Sequence, residues 1–179
     1  MKQEFAVPPV GKPAMIIALG LGLLIPLGML LALFTGHASK PPLQVVFMAL
    51  LIMVTVLAIF VGVFRNLRVR IDGRTLLVQG GLFRRRVDIS DLDLDSARVL
   101  DLNEHRERRP LWRMFGAGLP GYRVGDYYTR DKRRAFCLIT NFSRVLRIER
   151  RNGHLLMISA ERPNDLLKAL QTAASAQPS

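Results

Sequence analysis

Two long apolar stretches without a charged side chain constrain this sequence more than any other feature. Residues 14–34 and residues 45–64 contain no Asp, Glu, Lys or Arg, and Thr55 is the only clearly polar residue of the second stretch. A helix of about 20 residues rises roughly 30 Å, which matches the hydrocarbon thickness of a bilayer. A helix that is apolar on every side leaves no face for water. Both stretches are therefore predicted to be transmembrane helices.

The segments around these helices predict a membrane hairpin. Residues 35–44 form a short linker, expected outside, and residues 1–13 form a tail before the first helix. Seven arginines fall within residues 65–86, and positive charge is retained on the cytoplasmic side, so both termini are predicted to be cytoplasmic. A cleaved signal peptide ending near residues 36–38 is the alternative, but its apolar core would have only about 7 to 15 residues.

Charge is distributed unevenly along the chain. Residues 1–64 contain four charged side chains, although the whole chain has 26 Lys and Arg against 14 Asp and Glu, a formal net charge of +12. This asymmetry excludes one ordinary soluble globule. The single Cys137 cannot form an intramolecular disulfide, and no His lies at metal-ligand spacing from it, which excludes a disulfide scaffold and a Cys/His zinc module. We expect neither a metal nor a cofactor.

Residues 65–173 are predicted to form one cytoplasmic β domain. Apolar and polar residues alternate there with the period of a strand, and Asp72-Gly73 and Asn152-Gly153 are favoured hairpin turns. The predicted strands cover residues 66–72, 75–81, 82–89, 96–102, 122–129, 134–140, 144–150 and 154–160.

The C-terminal residues predict one amphipathic helix that closes the domain. Ser159 is the expected N-cap, and Leu166, Leu167 and Leu170 fall on one helical stripe. Such a helix would cover one open end of a small antiparallel barrel or sandwich. Residues 174–179 are predicted to be disordered.

Two motifs carry a family resemblance. Residues 116–125 read GAGLPGYRVG and residues 135–148 read AFCLITNFSRVLRI. With the preceding apolar helices and the terminal helix, the sequence resembles the bacterial pleckstrin-homology-like (PH-like) domain family in its membrane-anchored form. The turn of the first motif is carried by Gly118, Pro120, Gly121 and Tyr122. The resemblance implies a partly open barrel of about seven strands in two antiparallel sheets, capped by the C-terminal helix, at the bacterial inner membrane.

Residues 105–118, named here the Arg/Trp segment, are the densest basic stretch and a candidate lipid or partner contact. Its candidate residues are Arg106, Arg108, Arg109, Trp112, Arg113 and Phe115. Arginine can pair with lipid phosphates, and tryptophan favours the interfacial zone of a bilayer. In the alternative interpretation, Trp112 and Phe115 plug the barrel while the arginines pair with Glu104, Glu107 and Asp101.

A second basic cluster lies at residues 84–86. On a strand, Arg84 and Arg86 share one face and Arg85 takes the other. Arg84 and Arg86 are therefore candidate contacts as well, with a solvated, charge-protected sheet edge as the alternative.

Other motifs predict no further chemistry. Gly116, Gly118 and Gly121 have dinucleotide-site spacing, but the strand-to-helix context is missing, so a demanding turn is expected. A two-residue turn at Asp72-Gly73 leaves no room for a phosphoinositide pocket. Asp88, Asp91, Asp93 and Asp95 are expected to form an acidic connection rather than a cation site.

These observations predict a non-catalytic membrane protein. Cys137 lies among apolar residues and is expected to be a core thiol. Nucleic acid is not expected as a partner, because no recognised binding motif accompanies the charge. The leading hypothesis is a membrane-proximal module that binds a protein partner or another copy of itself. The alternative is a sensor of anionic lipid that acts through the Arg/Trp segment.

Overall fold

The two apolar stretches form helices in the computed structural model, which describes residues 2–35 and 43–176. They are α1 (Lys12–Thr35) and α2 (Leu43–Arg65), which pack against each other. Both exceed their predicted bounds by one or two residues at their ends, and most of the predicted linker, residues 36–42, lies outside the described residues. Many large apolar side chains of both helices are exposed, among them Ile16, Leu24, Leu31, Phe47, Met48 and Val54.

Across residues 2–35 and 43–176, no helix meets the length and apolarity needed to cross a membrane. The two transmembrane spans therefore stay a prediction from the sequence.

The N-terminal tail belongs to the β domain. Residues Lys2–Phe5 form β1, which pairs antiparallel with β2 (Leu67–Asp72). Glu4 lies opposite Arg70, whose guanidinium donates to its carboxylate at 2.9 Å, and this hydrogen bond lowers the pKa of Glu4. Ala14, in the first turn of α1, is fully buried in the core. The tail predicted over residues 1–13 thus supplies an edge strand, which is too short to be recognised by its alternation.

Ten strands form two sheets in the described part of the chain. The four-stranded sheet has the order β1-β2-β3-β4, with β3 (Thr75–Gly80) and β4 (Phe83–Asp88). The six-stranded sheet has the order β5-β9-β10-β8-β7-β6. Its strands are β5 (Leu92–Leu100), β6 (Trp112–Leu119), β7 (Tyr122–Tyr128), β8 (Arg134–Ile139), β9 (Val145–Arg150) and β10 (Leu155–Ser159).

Two features correct the expectation of about seven antiparallel strands. β1 and β6 were not predicted as strands, and β8 and β10 pair in parallel. β10 lies between β9 and β8. It forms an antiparallel hairpin with β9 and runs parallel to β8 on its other side. The two-sheet arrangement with a C-terminal helix is confirmed.

Two apolar clusters lie on opposite faces of the six-stranded sheet. The main core fills the space between the sheets and includes Leu76, Val78, Leu138 and Ile148. A smaller cluster on the outer face includes Leu102, Tyr127, Ile139 and Met157. This second cluster supports the outer surface on which part of the candidate site lies.

The terminal helix α3 (Pro163–Ser175) closes the main core. Leu166 and Leu170 are fully buried, as the helical stripe predicted. The predicted N-cap at Ser159 is wrong, because Ser159 ends β10 and its hydroxyl donates to the Asn141 carbonyl at 2.8 Å. A buried hydroxyl with that partner cannot also cap a helix four residues later. The tail predicted to be disordered began too early, because residues 174 and 175 belong to α3, and residues 177–179 lie outside the described residues.

Candidate functional site

The Arg/Trp segment forms a short 3₁₀ helix and then an edge strand. Residues Arg106–Arg108 make the 3₁₀ turn, and β6 begins at Trp112. A bulge at Met114 shifts the register from the Arg113–Tyr127 pair to the Phe115–Asp126 pair. A bulge interrupts the period-two alternation by which a strand is recognised, so the sequence did not predict this strand.

The glycines of residues 116–125 allow β6 and β7 to approach closely. Gly116 lies directly opposite Gly125, and a Cβ on Gly116 would overlap the Val124 carbonyl oxygen. Gly125 has a φ of +114°, which few residues other than glycine adopt. The predicted turn lies at Pro120-Gly121, where Gly121 has a φ of +83°. A hairpin rather than a strand-to-helix turn explains the glycine spacing and leaves no dinucleotide site.

Four large apolar side chains on β6 and on the turn before β4 are exposed and are named here the apolar rim: Leu82, Trp112, Met114 and Phe115. Trp112 is 73% exposed, Phe115 71% and Leu82 72%. The alternative in which Trp112 and Phe115 plug the barrel is therefore wrong. Monomeric proteins seldom expose several large apolar side chains together without an interaction surface.

Two residues of the apolar rim lie near the end of the domain that joins the helices. The Gly81 N–H donates to the carbonyl of Asn66, the residue after α2, at 3.2 Å, which places the turn carrying Leu82 beside the end of that helix. The ring of Phe83, the next residue, meets the Phe115 ring edge-on at 5.4 Å between centroids. β6 also contacts α1. Leu82 and Phe115 therefore lie near the end of the domain that joins the helices.

The arginines around this end differ in their partners. Arg84 and Arg86 are exposed on β4, while Arg85 points to the other face, as predicted, and donates to the Asp126 carboxylate at 2.6 Å. Arg108 lies 3.9 Å from Glu107. In the described part of the chain, Arg106 and Arg113 have no ion pair.

Arg109 is held by neutral groups instead of a carboxylate. Its guanidinium donates to the Leu102 carbonyl and to the Asn103 side-chain oxygen at 3.1 Å. It also lies 5.1 Å from the centre of the Phe142 ring. The predicted pairing of these arginines with Glu104 and Asp101 is absent from the described residues.

A family comparison agrees with this architecture. The family model described as Bacterial PH domain matches residues 67–174, more than half of the chain. The chain belongs to this family. No curated protein and no solved structure matches it. The family resemblance inferred from the sequence is thereby confirmed for the β domain. Membership in the bacterial PH domain family indicates a binding module, and the site itself has to identify what is bound.

This bacterial PH domain contains, within residues 2–35 and 43–176, no group of His, Cys, Asp and Glu side chains that could hold a metal ion. The acidic run is used structurally. Asp88 caps a short 3₁₀ turn by accepting from the Ser90 N–H at 3.0 Å, and Asp91 lies 3.5 Å from Arg150. Cys137 is fully buried, as predicted for a core thiol, and burial raises the pKa of its thiol.

Some residues that shape the site could not be recognised from the sequence. Arg123 and Phe142 come from two other segments of the bacterial PH domain and lie near Arg109. The guanidinium carbon of Arg123 lies 5.6 Å from the centre of the Phe142 ring. The alternation of β7 indicates only that Arg123 points away from the main core. The fold is needed to show which side chains it meets.

Proposed function

We propose that this protein is a membrane-anchored bacterial PH domain and a non-catalytic binding module whose apolar rim rests on the membrane surface. The observation that carries the proposal is the high exposure of Trp112 and Phe115 on β6, the strand that also contacts α1. A domain tethered by α1 and α2 would hold this strand near whatever surface holds the helices.

The membrane anchor is supported by the sequence of the two helices. Residues 14–34 and 45–64 carry no charge, and many of their large side chains are exposed. Exposing so much apolar surface to water is unfavourable by about 25 cal/mol per Å². The excess of arginine after α2 favours a cytoplasmic domain at the inner membrane.

The composition of the rim suits the interfacial zone of an anionic leaflet. Tryptophan is enriched at that depth because its ring is apolar and its N–H is polar. Arg84 lies in β4, two residues after Leu82, and Arg113 lies in β6 beside Trp112. Each cation near such a leaflet contributes about 1 kcal/mol, and this contribution is weakened by salt.

The single tryptophan makes the contact directly measurable. We expect fluorescence of the full chain, reconstituted into vesicles of mixed neutral and anionic lipid, to be blue-shifted and quenched by lipids brominated near the headgroup. A matched control moves the reporter with the double change Trp112→Phe and Arg74→Trp. Arg74 lies in the β2–β3 turn, about 20 Å along β3 from the turn that carries Leu82.

Equal quenching of the two reporters, or solvent-like emission from Trp112, would contradict contact of the rim with the membrane. The anchor is tested separately by alkaline extraction of membranes that contain the full chain. The protein should remain with the membrane pellet.

A second candidate function is binding of a protein partner or a second copy along β6. β6 is an edge of the six-stranded sheet in the described residues, so its outer edge could accept an added strand. Cross-linking through Met114→Cys in intact membranes tests this function, since the native Cys137 is buried. A specific cross-linked dimer or heterodimer would favour it over lipid contact.

A further inference from the structure

A pocket on the outer face of the six-stranded sheet collects three arginines from separate segments. Its volume is about 790 Å³, within the range of small-molecule sites. This arginine pocket is lined chiefly by Asn103, Arg109, Arg113, Arg123, Tyr127 and Phe142. None of the described residues that line it is acidic. The pocket is therefore strongly cationic.

Other arginines on this sheet are neutralised by carboxylates. Arg133 and Arg147 bind the two oxygens of Glu149 at 2.8 and 2.7 Å. By contrast, no arginine of the pocket has an ion pair among the described residues. Their charges are thus available to a ligand.

Arg123, which lines this pocket, carries an unsatisfied donor. Its Nη1 atom is buried and has no hydrogen-bond partner. Leaving a buried charged donor unpaired is unfavourable, so a ligand that accepts from it gains that interaction. The Phe142 ring lies 5.6 Å from the Arg123 guanidinium and 5.1 Å from that of Arg109. Aromatic packing holds both cations in place without cancelling their charge.

Tyr127 does not supply the missing negative charge. Its hydroxyl donates to the Ala117 carbonyl at 2.7 Å. Burial raises the pKa of Tyr127 to about 12, so the phenol is neutral near pH 7. The nearby charges of Arg113 and Arg123 oppose this rise in the pKa of Tyr127 without cancelling it.

We infer that the arginine pocket binds a phosphate group. Guanidinium forks match phosphate oxygens in pairs, and phosphate offers three or more acceptor oxygens in different directions. Three arginines that come from the loop after β5, from β6 and from β7 can share such a ligand, whereas the two oxygens of one planar carboxylate suit fewer of them. The phosphate belongs to a lipid headgroup or to a small soluble phosphate compound.

Pyrophosphate titration tests the pocket without relying on rim contact. The full chain is placed in nanodiscs of phosphatidylcholine, and binding of pyrophosphate is measured by calorimetry. We expect saturable binding that is weakened about tenfold or more by Arg123→Met and by Arg113→Gln. Arg130→Gln removes the same charge from an exposed turn outside the pocket and should change the dissociation constant less than about twofold.

Nanodiscs that contain phosphatidic acid distinguish the two sources of phosphate. Loss of pyrophosphate binding in these nanodiscs, but not in those of phosphatidylcholine, identifies a lipid headgroup as the ligand. Unchanged binding identifies a soluble phosphate compound. The inference is overturned if pyrophosphate does not bind to the phosphatidylcholine samples, or if Arg123→Met and Arg113→Gln bind it as tightly as Arg130→Gln does.

Discussion

The two halves of the six-stranded sheet use arginine in opposite ways. On the β8–β9 side, Glu149 accepts hydrogen bonds from Arg133 and Arg147, and all three side chains are half-buried. On the β6–β7 side, the arginine pocket gathers three cations without a carboxylate among the described residues. Paired charges at the first side hold strands together, whereas unpaired charges at the second create a binding surface. Stability and binding are thereby assigned to different parts of one sheet.

The largest effect is expected from a substitution that disturbs the β6–β7 hairpin, which holds two arginines of the pocket. Gly125→Ala should lower the free energy of unfolding by about 2–4 kcal/mol, because an added Cβ would overlap the Phe115 carbonyl at a φ of +114°. Gly153→Ala is the control, since Gly153 also has a positive φ, +80°, but open space around it. The control should cost about 1 kcal/mol. Denaturant unfolding in detergent micelles measures the free energy of unfolding of both variants. Equal losses would contradict the conclusion that β6 and β7 lie too close together for a side chain at Gly125.

Alternation predicted the regular strands well. β2 and β3 end within one residue of their predicted bounds, because apolar residues alternate there and Asp72-Gly73 marks the turn. β10 also ends within one residue of its predicted bounds, although it is a continuous apolar run, because Asn152-Gly153 marks the turn before it. β6 was missed because Met114 is bulged and glycines replace the side chains that would show alternation. β1 was missed because its partner lies about 66 residues away and its own four residues carry no pattern.

The candidate site was predicted in part. Arg and Trp in one short segment indicated a contact surface, but the sequence left open whether Trp112 is buried, and the fold shows it exposed. The arginine pocket could not be predicted, because Arg123 and Phe142 join Arg109 only through packing of separate segments. A local sequence pattern does not show which side chains from distant segments become neighbours in the fold.

A second prediction concerns the paired side. Glu149→Gln should destabilise the protein by about 1–2 kcal/mol, because it leaves Arg133 and Arg147 half-buried without their carboxylate. Glu104→Gln, at an exposed loop position, should change the free energy of unfolding by less than about 0.5 kcal/mol. Thermal or denaturant unfolding compares the two variants. A similar effect of both would show that the Glu149 pairs do not stabilise the sheet.

The Glu149→Gln variant also tests how the stability of the protein depends on pH. The hydrogen bond from Arg133 lowers the pKa of Glu149 below its usual range near 4.3. A lowered folded-state pKa means that the stabilisation is complete above the unfolded value and is lost as pH falls through the folded value. Between about pH 5 and pH 3, the wild-type protein should therefore lose more stability than Glu149→Gln. Parallel pH profiles of the two proteins would contradict this assignment, since other carboxylates titrate equally in both.

The smallest effect on stability is expected on the unpaired side. Arg123→Met keeps most of the side-chain length that packs near Phe142 and removes a buried donor without a partner. The free energy of unfolding should stay within about 0.5 kcal/mol of the wild-type value or rise, because replacing a half-buried charge that has no ion pair by an apolar group is often neutral or stabilising. Pyrophosphate should raise the melting temperature of the wild-type protein and not that of Arg123→Met, because a ligand stabilises only the state that binds it. A large loss of stability in Arg123→Met would place this arginine with Arg133 and Arg147 as a structural residue, and the contrast between the two sides of the sheet would disappear.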